Sequence, residues 1–379
     1  MVPKRWEIVL TVADRELGEE DDTENIESSE RERRLITQSY DLSVNTLIEQ
    51  WHDKTLTLPE IQRQYVWDRA RASRLIESLL LNIPIPVVYF SETQDVNYLI
   101  IDGHQRIQSI VNYVENQFAL SGLKVLSGLN GLRFGALSPR DQRQIRTRVI
   151  RAIIISVDSD PMMKFEVFER LNTGSIALNA QEIRNSTHRG PMNELIKKFA
   201  LSPDFRTCVG TARPRPRMVD NELILRFLAL ESSWQSYKPP LKKYLNNYMD
   251  KANGWPESQL SEAEARFDRS VAGLVEVLGQ AAFRLTDDTG VPIDRALNRA
   301  LAETQLVSFS WIRNTDLDST RSDILRALGA LYGNSVFLDS IQRATGDRRR
   351  TLRRLGMFCS ALTEAGVTLS QQVSFESVE

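Results

Sequence analysis

One abrupt change of pattern constrains this chain more than any other. The apolar run Tyr98-Leu99-Ile100-Ile101 stops at Asp102-Gly103-His104-Gln105-Arg106, and Ile107, Ile110, Val111 and Val114 then follow at helical spacing. A continuous apolar run of this length reads as a buried strand, and the later spacing as one face of a helix. The chain must therefore pass from strand to helix within a few residues, with glycine supplying the turn. Such a junction aims backbone N–H groups and the positive end of a helix dipole at one point, where phosphates bind readily. In that reading Gly103 lets the backbone approach a ligand, Arg106 holds an oxyanion, and Asp102 binds a magnesium ion or orients water. Asp-Gly is also a common turn dipeptide, so these five residues taken alone read first as a plain turn.

The flanking sequence supplies the rest of an α+β unit. Ser43 is an N-cap for a helix through Val44, Leu47, Ile48 and Trp51, and Leu56-Thr57-Leu58-Pro59 reads as extended. Asp68 caps a helix with Ala72, Leu75, Ile76, Leu79 and Leu80 on its apolar face, which must end before Pro84. Val87-Val88-Tyr89-Phe90 is a strand, a helix follows Ser138-Pro139, and Ile153-Ile154-Ile155 marks the strongest strand of the chain. Pro161 opens a helix that ends at Asn172-Thr173-Gly174, and Asn179 with Glu182 forms a capping box for another. Beyond Gly190 strand signals fade, and segments near 223–228, 267–278, 300–312 and 324–331 all favour helix. Arg213-Pro214-Arg215-Pro216-Arg217 is the clearest linker-like stretch, in a boundary zone spanning 190–215. The expected organisation is an acidic flexible arm over 1–38, an α+β domain over 39–205, and a mainly helical domain over 206–379.

Composition narrows the function classes. At 379 residues the chain exceeds the usual single-domain size. No apolar run reaches the roughly 18 residues of a membrane span and no signal-peptide pattern opens the sequence, so a cytoplasmic address is expected and no membrane partner. Two distant cysteines, Cys208 and Cys359, exclude a disulfide framework, and three scattered histidines make a His-rich metal centre improbable. The net charge of −2 hides an asymmetry: residues 1–32 hold eleven acids against four bases, leaving 39 acids and 44 bases in the body. An acidic arm is an ordinary solvated tail, or a screen over a basic nucleic-acid surface.

Further polar clusters sit beside element boundaries. In Gln62-Arg63-Gln64-Tyr65-Val66-Trp67, Arg63 can hold a phosphate and an aromatic can stack on a base, or the aromatics are simply core. Phe168 to Gly174, with Asn172 and Thr173, and Gln181-Glu182-Ile183-Arg184-Asn185 read either as site residues or as a helix C-cap and a solvated face. Arginines at 140, 143, 146, 148 and 151, and Arg343, Arg348, Arg349, Arg350, Arg353 and Arg354, form two clusters suited to DNA phosphates without sequence readout.

Taken in order, Leu58 to Trp67, Leu75 to Leu80, Ile83-Pro84-Ile85-Pro86, Asp102 to Arg106, Leu171 to Gly174 and Glu182 to Asn185 resemble the N-terminal domain of GmrSD-type modification-dependent restriction systems. Arg217 to Phe227 resembles its helical continuation, so the likeness covers roughly 40–235. The resemblance implies a ParB/sulfiredoxin-like fold with a nucleotide pocket, and nucleoside-triphosphate hydrolysis coupled to antiphage DNA restriction. It carries Asp102, Gly103, Gln105 and Arg106 over as the pocket motif and Gln62 and Arg63 as its partner motif. His104 departs from the family's glutamine; its ring keeps one donor but reaches differently and titrates near neutrality. Residues 215–379 contain no histidine, whereas the HNH nuclease of two-domain members needs one as general base.

The leading expectation is a nucleotide-binding, NTP-hydrolysing regulatory subunit acting with a separate nuclease or methyltransferase. A triphosphate, with magnesium, would lie against the helix from His104, with Arg106 and Arg63 on phosphates and Asp102 on the metal or on water. Tyr65, Asn172, Thr173, Glu182, Arg184 and Asn185 would line the pocket, and Arg348, Arg349, Arg350, Arg353 and Arg354 would face DNA. The alternatives are a non-catalytic ParB-like DNA-binding adaptor and a modification-dependent nuclease acting alone.

Overall fold

The computed structural model describes residues 34–58, 65–93, 95, 97–171, 178–313 and 316–373. Gln62, Arg63, Asn172 and Thr173, and the acidic arm up to residue 33, lie outside the described residues.

The α+β part runs β1 (Thr37–Ser43), α1 (Val44–His52), β2 (Leu56–Thr57), α2 (Arg69–Leu80), β3 (Val88–Glu92), β4 (Tyr98–Asp102), α3 (His104–Val114), α4 (Pro139–Thr147), β5 (Val149–Ile155), α5 (Pro161–Leu171) and α6 (Ala180–Thr187). Side-chain caps fix the helix starts: Ser43, Asp68, Ser138 and Asn179 each accept from a first-turn backbone N–H. Each such cap contributes roughly 1 kcal/mol. The five strands form one sheet in the order β1-β5-β3-β4-β2, with β3 parallel to β5 and antiparallel to β4.

Beneath one face of this sheet lies a core of Val44, Leu47, Ile76, Leu79, Phe90, Ile100, Ile107, Ile110 and Tyr113. A smaller cluster of Ile155, Phe165, Phe168 and Ile183, with Ile101 against it, joins the sheet to α5 and α6. Strand β1 was hidden in the sequence because Thr37 to Tyr40 are all exposed, so no apolar alternation announces an edge strand. It begins at Thr37, inside the expected 1–38 arm, and pairs with β5 from Thr37 opposite Ile155 to Ser43 opposite Val149.

The chain then turns helical: α7 (Pro191–Ala200), α8 (Pro203–Val209), α9 (Val219–Ser233), α10 (Leu241–Ala252), α11 (Glu257–Val277), α12 (Arg299–Ser310), α13 (Leu317–Tyr332), α14 (Ser335–Gln342) and α15 (Arg348–Glu364). Met192, Ile196, Phe205, Phe227, Phe267, Phe309 and Phe358 share one core, so the change from sheet core to helix core falls at about residue 190. No described helix is long and apolar enough to cross a membrane. Cys208 and Cys359 are buried free thiols, both raised by burial, to about 12 and about 11.

The stretch 213–217 is no free linker. Arg215 pairs with the buried Asp220, Arg217 pairs with Glu182 of α6, and the Arg213 carbonyl accepts from Arg206. Ion pairs, one to Asp220 just downstream and one to Glu182 35 residues earlier, override the linker composition of Pro and Arg.

Candidate functional site

The strand-to-helix junction is built as a bent ending. Tyr89 of β3 faces Asp102 but Phe90 faces Ile100, so β4 carries one extra residue, Ile101, just before the motif. Such a bulge re-aims the side chain that follows it. Gly103 then takes a left-handed conformation, φ +99°, and α3 starts at His104 with no side-chain cap. A Cβ at 103 would lie 2.5 Å from Val88 Cγ1, so both the turn and the close approach to β3 require glycine. The first-turn amides of α3 and its positive dipole end are thus presented without a capping oxygen from the N-cap residue.

Arg106 is held by protein on both its terminal nitrogens. Nη2 donates to Asp102 Oδ2 at 2.5 Å, and Nη1 to the Pro86 carbonyl at 2.5 Å and the Val87 carbonyl at 3.2 Å. It ties the start of α3 to the chain entering β3. The expected role of Arg106 as an oxyanion holder therefore shifts to that of a clamp, since its side chain is only 14% exposed. Asp102 is more open, at 44%, and its Oδ1 has no hydrogen-bond partner among the described residues.

Gln105 reaches backward in sequence. Its Oε1 accepts from the backbone N–H of Val66 at 2.9 Å and of Trp67 at 3.2 Å. Tyr65 Oη lies 2.9 Å from Ser109 Oγ, which in turn donates to the Gln105 carbonyl at 2.6 Å. The first and second polar clusters are therefore one assembly at the start of α3. Ser109 was not singled out from sequence; the available signal was a serine at i+4 from Gln105, where its hydroxyl can bond back to that carbonyl. His104 is buried, with Nε2 at 2.7 Å from Gln108 Oε1 and Nδ1 at 3.4 Å from Gln105 Nε2. Both ring nitrogens thus face amide side chains of the first turns of α3, Nδ1 toward Gln105 and Nε2 toward Gln108.

Residues 182–185 serve the junction with the helical part. Glu182 completes the capping box with Asn179 and accepts from Arg217 Nη2 at 2.9 Å. Arg184 is 1% exposed and donates to Asn246 Oδ1 at 2.7 Å and Gln181 Oε1 at 3.0 Å, and burial lowers its pKa to about 10. Asn185 Oδ1 accepts from Asn193. The expectation that Arg184 and Asn185 line a ligand pocket is not what this packing favours: their polar atoms are satisfied by α6, α7 and α10. The C-terminal arginines divide similarly. Arg354 is buried and pairs with Glu303, Arg350 pairs with Asp339 at 3.1 Å, and Arg348 donates to the Tyr237 and Gln235 carbonyls. Arg349 and Arg353 make no ion pair among the described residues and remain available for an external anion.

Among the described residues, no group of three or more His, Cys, Asp or Glu side chains could hold a metal ion. Magnesium binds through as few as one carboxylate when substrate phosphates supply the remainder, and Asp102 fits that requirement.

Fold and junction together define a mixed-sheet domain that offers a glycine-formed helix start, followed by an all-helical body. Residues 44–189 match the family model of the GmrSD restriction endonuclease, N-terminal domain, so this part of the chain is similar to that domain. No curated protein matches the chain.

Proposed function

We propose that this chain is a nucleotide-binding, NTP-hydrolysing regulatory subunit of a DNA-restriction system. The observation that carries this reading is the uncapped start of α3 after left-handed Gly103, with Asp102 beside it and Tyr65 brought alongside through Ser109. Backbone amides there would take the phosphates, and Asp102 would hold magnesium or orient water. Arg106 keeps Asp102 in place from one helical turn away. Magnesium, when bound, would neutralise developing phosphate charge; the protein's share is positioning. In this reading a separate nuclease would carry out the restriction step.

The test is phosphate release from purified protein with ATP, GTP and CTP, beside Asp102→Ala. Release well above the Asp102→Ala background with one nucleotide supports the reading; equal release from both proteins sinks it. A second reading, a non-catalytic nucleotide-switched adaptor on DNA, is favoured by the engagement of Arg106 and His104 with the protein itself. It predicts nucleotide binding without turnover.

A further inference from the structure

Asp220, at the start of α9, is fully buried and serves two guanidinium groups. Arg206 of α8 approaches its Oδ2 with Nη1 at 2.8 Å, and Arg215 donates to Oδ1 through Nε at 2.6 Å and to Oδ2 through its backbone N–H at 2.8 Å. Arg206 is 8% exposed, and among the described residues its Nε and Nη2, together with Nη2 of Arg215, are buried with no hydrogen-bond partner. Two further cations add to the field. Among the described residues Arg284 donates only to backbone carbonyls, Val209 and Cys208 included, and both Arg284 and Arg299 lie within electrostatic range of Arg215. Arg299, at the start of α12, makes no hydrogen bond or ion pair within 4 Å among the described residues, though it also lies in the field of the Glu222 carboxylate.

Buried N–H groups are almost always paired, and each orphan costs roughly 1–3 kcal/mol. Three such donors on guanidinium groups that outnumber their shared carboxylate make a receptor for an oxyanion. The planar arginine fork suits a phosphoryl group, whose oxygens accept two parallel bonds. Arg206 lies over the Phe205 ring at 5.0 Å, which fixes its plane. Pro214 and Pro216 on either side of Arg215 restrict its backbone. The orphan donors are buried, while the Arg215 side chain as a whole is a quarter exposed and Arg299 is exposed.

We propose that Arg206, Arg215 and Arg299 form a binding site for a small phosphoryl anion on the helical part of the chain, outside residues 44–189 and separate from the start of α3. The site does not depend on the nucleotide reading of Asp102 to Arg106. Free phosphate and the phosphate tail of a mononucleotide share this chemistry.

The experiment is calorimetric titration of the full chain with inorganic phosphate, pyrophosphate and AMP at constant ionic strength, with thermal unfolding in parallel. Arg299→Gln alters an exposed, unbonded side chain, and Arg215→Lys keeps a charge for Asp220 but removes the fork. Saturable binding that weakens about tenfold or more in each variant, and persists in Asp102→Asn, is the expected result. The strongest of the three probes identifies the source. No saturable binding by the native chain, equal binding by Arg299→Gln, or binding abolished by Asp102→Asn and kept by Arg299→Gln would each overturn the site. Should Arg215→Lys fail to fold, Arg299→Gln decides alone.

Discussion

Arg106 bonds at once to Asp102, four residues earlier, and to the carbonyls of Pro86 and Val87 before β3. One guanidinium thereby joins the end of β4, the start of α3 and the entry to β3. The acid that the proposed chemistry needs is held by the same contact that fixes the helix start.

Arg106→Ala leaves two carbonyls and the Asp102 carboxylate without their donor. A loss of about 1–3 kcal/mol is expected, read as a lower urea midpoint with unchanged slope. A variant as stable as the native chain would show that the clamp carries no weight.

Gly103→Ala imposes a left-handed conformation on a residue with a Cβ and drives that atom toward Val88. The conformation alone costs on the order of 1–2 kcal/mol, and the steric contact adds to it. Val88→Ala in the same chain should recover the steric part and not the conformational part. Full recovery by the double variant would show that φ at 103 is unimportant.

A contact joins the end of α6 to α10: Nε2 of the buried His188 lies 3.4 Å from Oδ1 of Asp250, whose side chain is 32% exposed. Burial, reinforced by Arg184 and Lys164, lowers the His188 pKa to about 3, and burial with the charge of Asp160 raises Asp250 to about 6. A raised carboxyl pKa weakens the fold as pH climbs from the unfolded value near 4 through about 6. The depressed histidine weakens it as pH falls from about 6.5 toward 3. Over roughly pH 4–6 the two trends oppose each other. Asp250→Asn should therefore be near neutral at pH 4 and stabilising by on the order of 1–2 kcal/mol at pH 7.5, after allowance for partial exposure. Thermal melts across that range check it, and a stabilisation that shrinks with rising pH would reverse the sign.

Removing Arg354 leaves Glu303 deep in the helical core, where a broken ion pair costs about 3–5 kcal/mol. Arg349→Gln and Arg353→Gln should fold normally and, if DNA lies along α15, reduce the salt slope of binding by about one each. DNA affinity unchanged in the double variant would move the interface elsewhere.

Much of the α+β part was legible because each helix begins with a local device: Ser43, Asp68, Ser138-Pro139 and the Asn179–Glu182 capping box are short-range signals. Gly103 was legible for the same reason. What was not legible depends on partners far away in sequence. Arg354 looked like a surface charge beside Arg353, and only Glu303, 51 residues earlier, explains its burial. Arg217 looked like part of a linker until Glu182, 35 residues earlier, was placed against it. The bulge at Ile101 follows from register with β3, which no single strand encodes.

The central claim is that nucleotide phosphates sit on the first turn of α3. Hydrogen exchange of backbone amides 103–107, with and without ATP, GTP or CTP plus magnesium, tests it most directly. The account predicts slowed exchange at these amides with the preferred nucleotide, and loss of that protection in Asp102→Ala. Saturating nucleotide that leaves amides 103–107 unprotected while shielding another segment would contradict it.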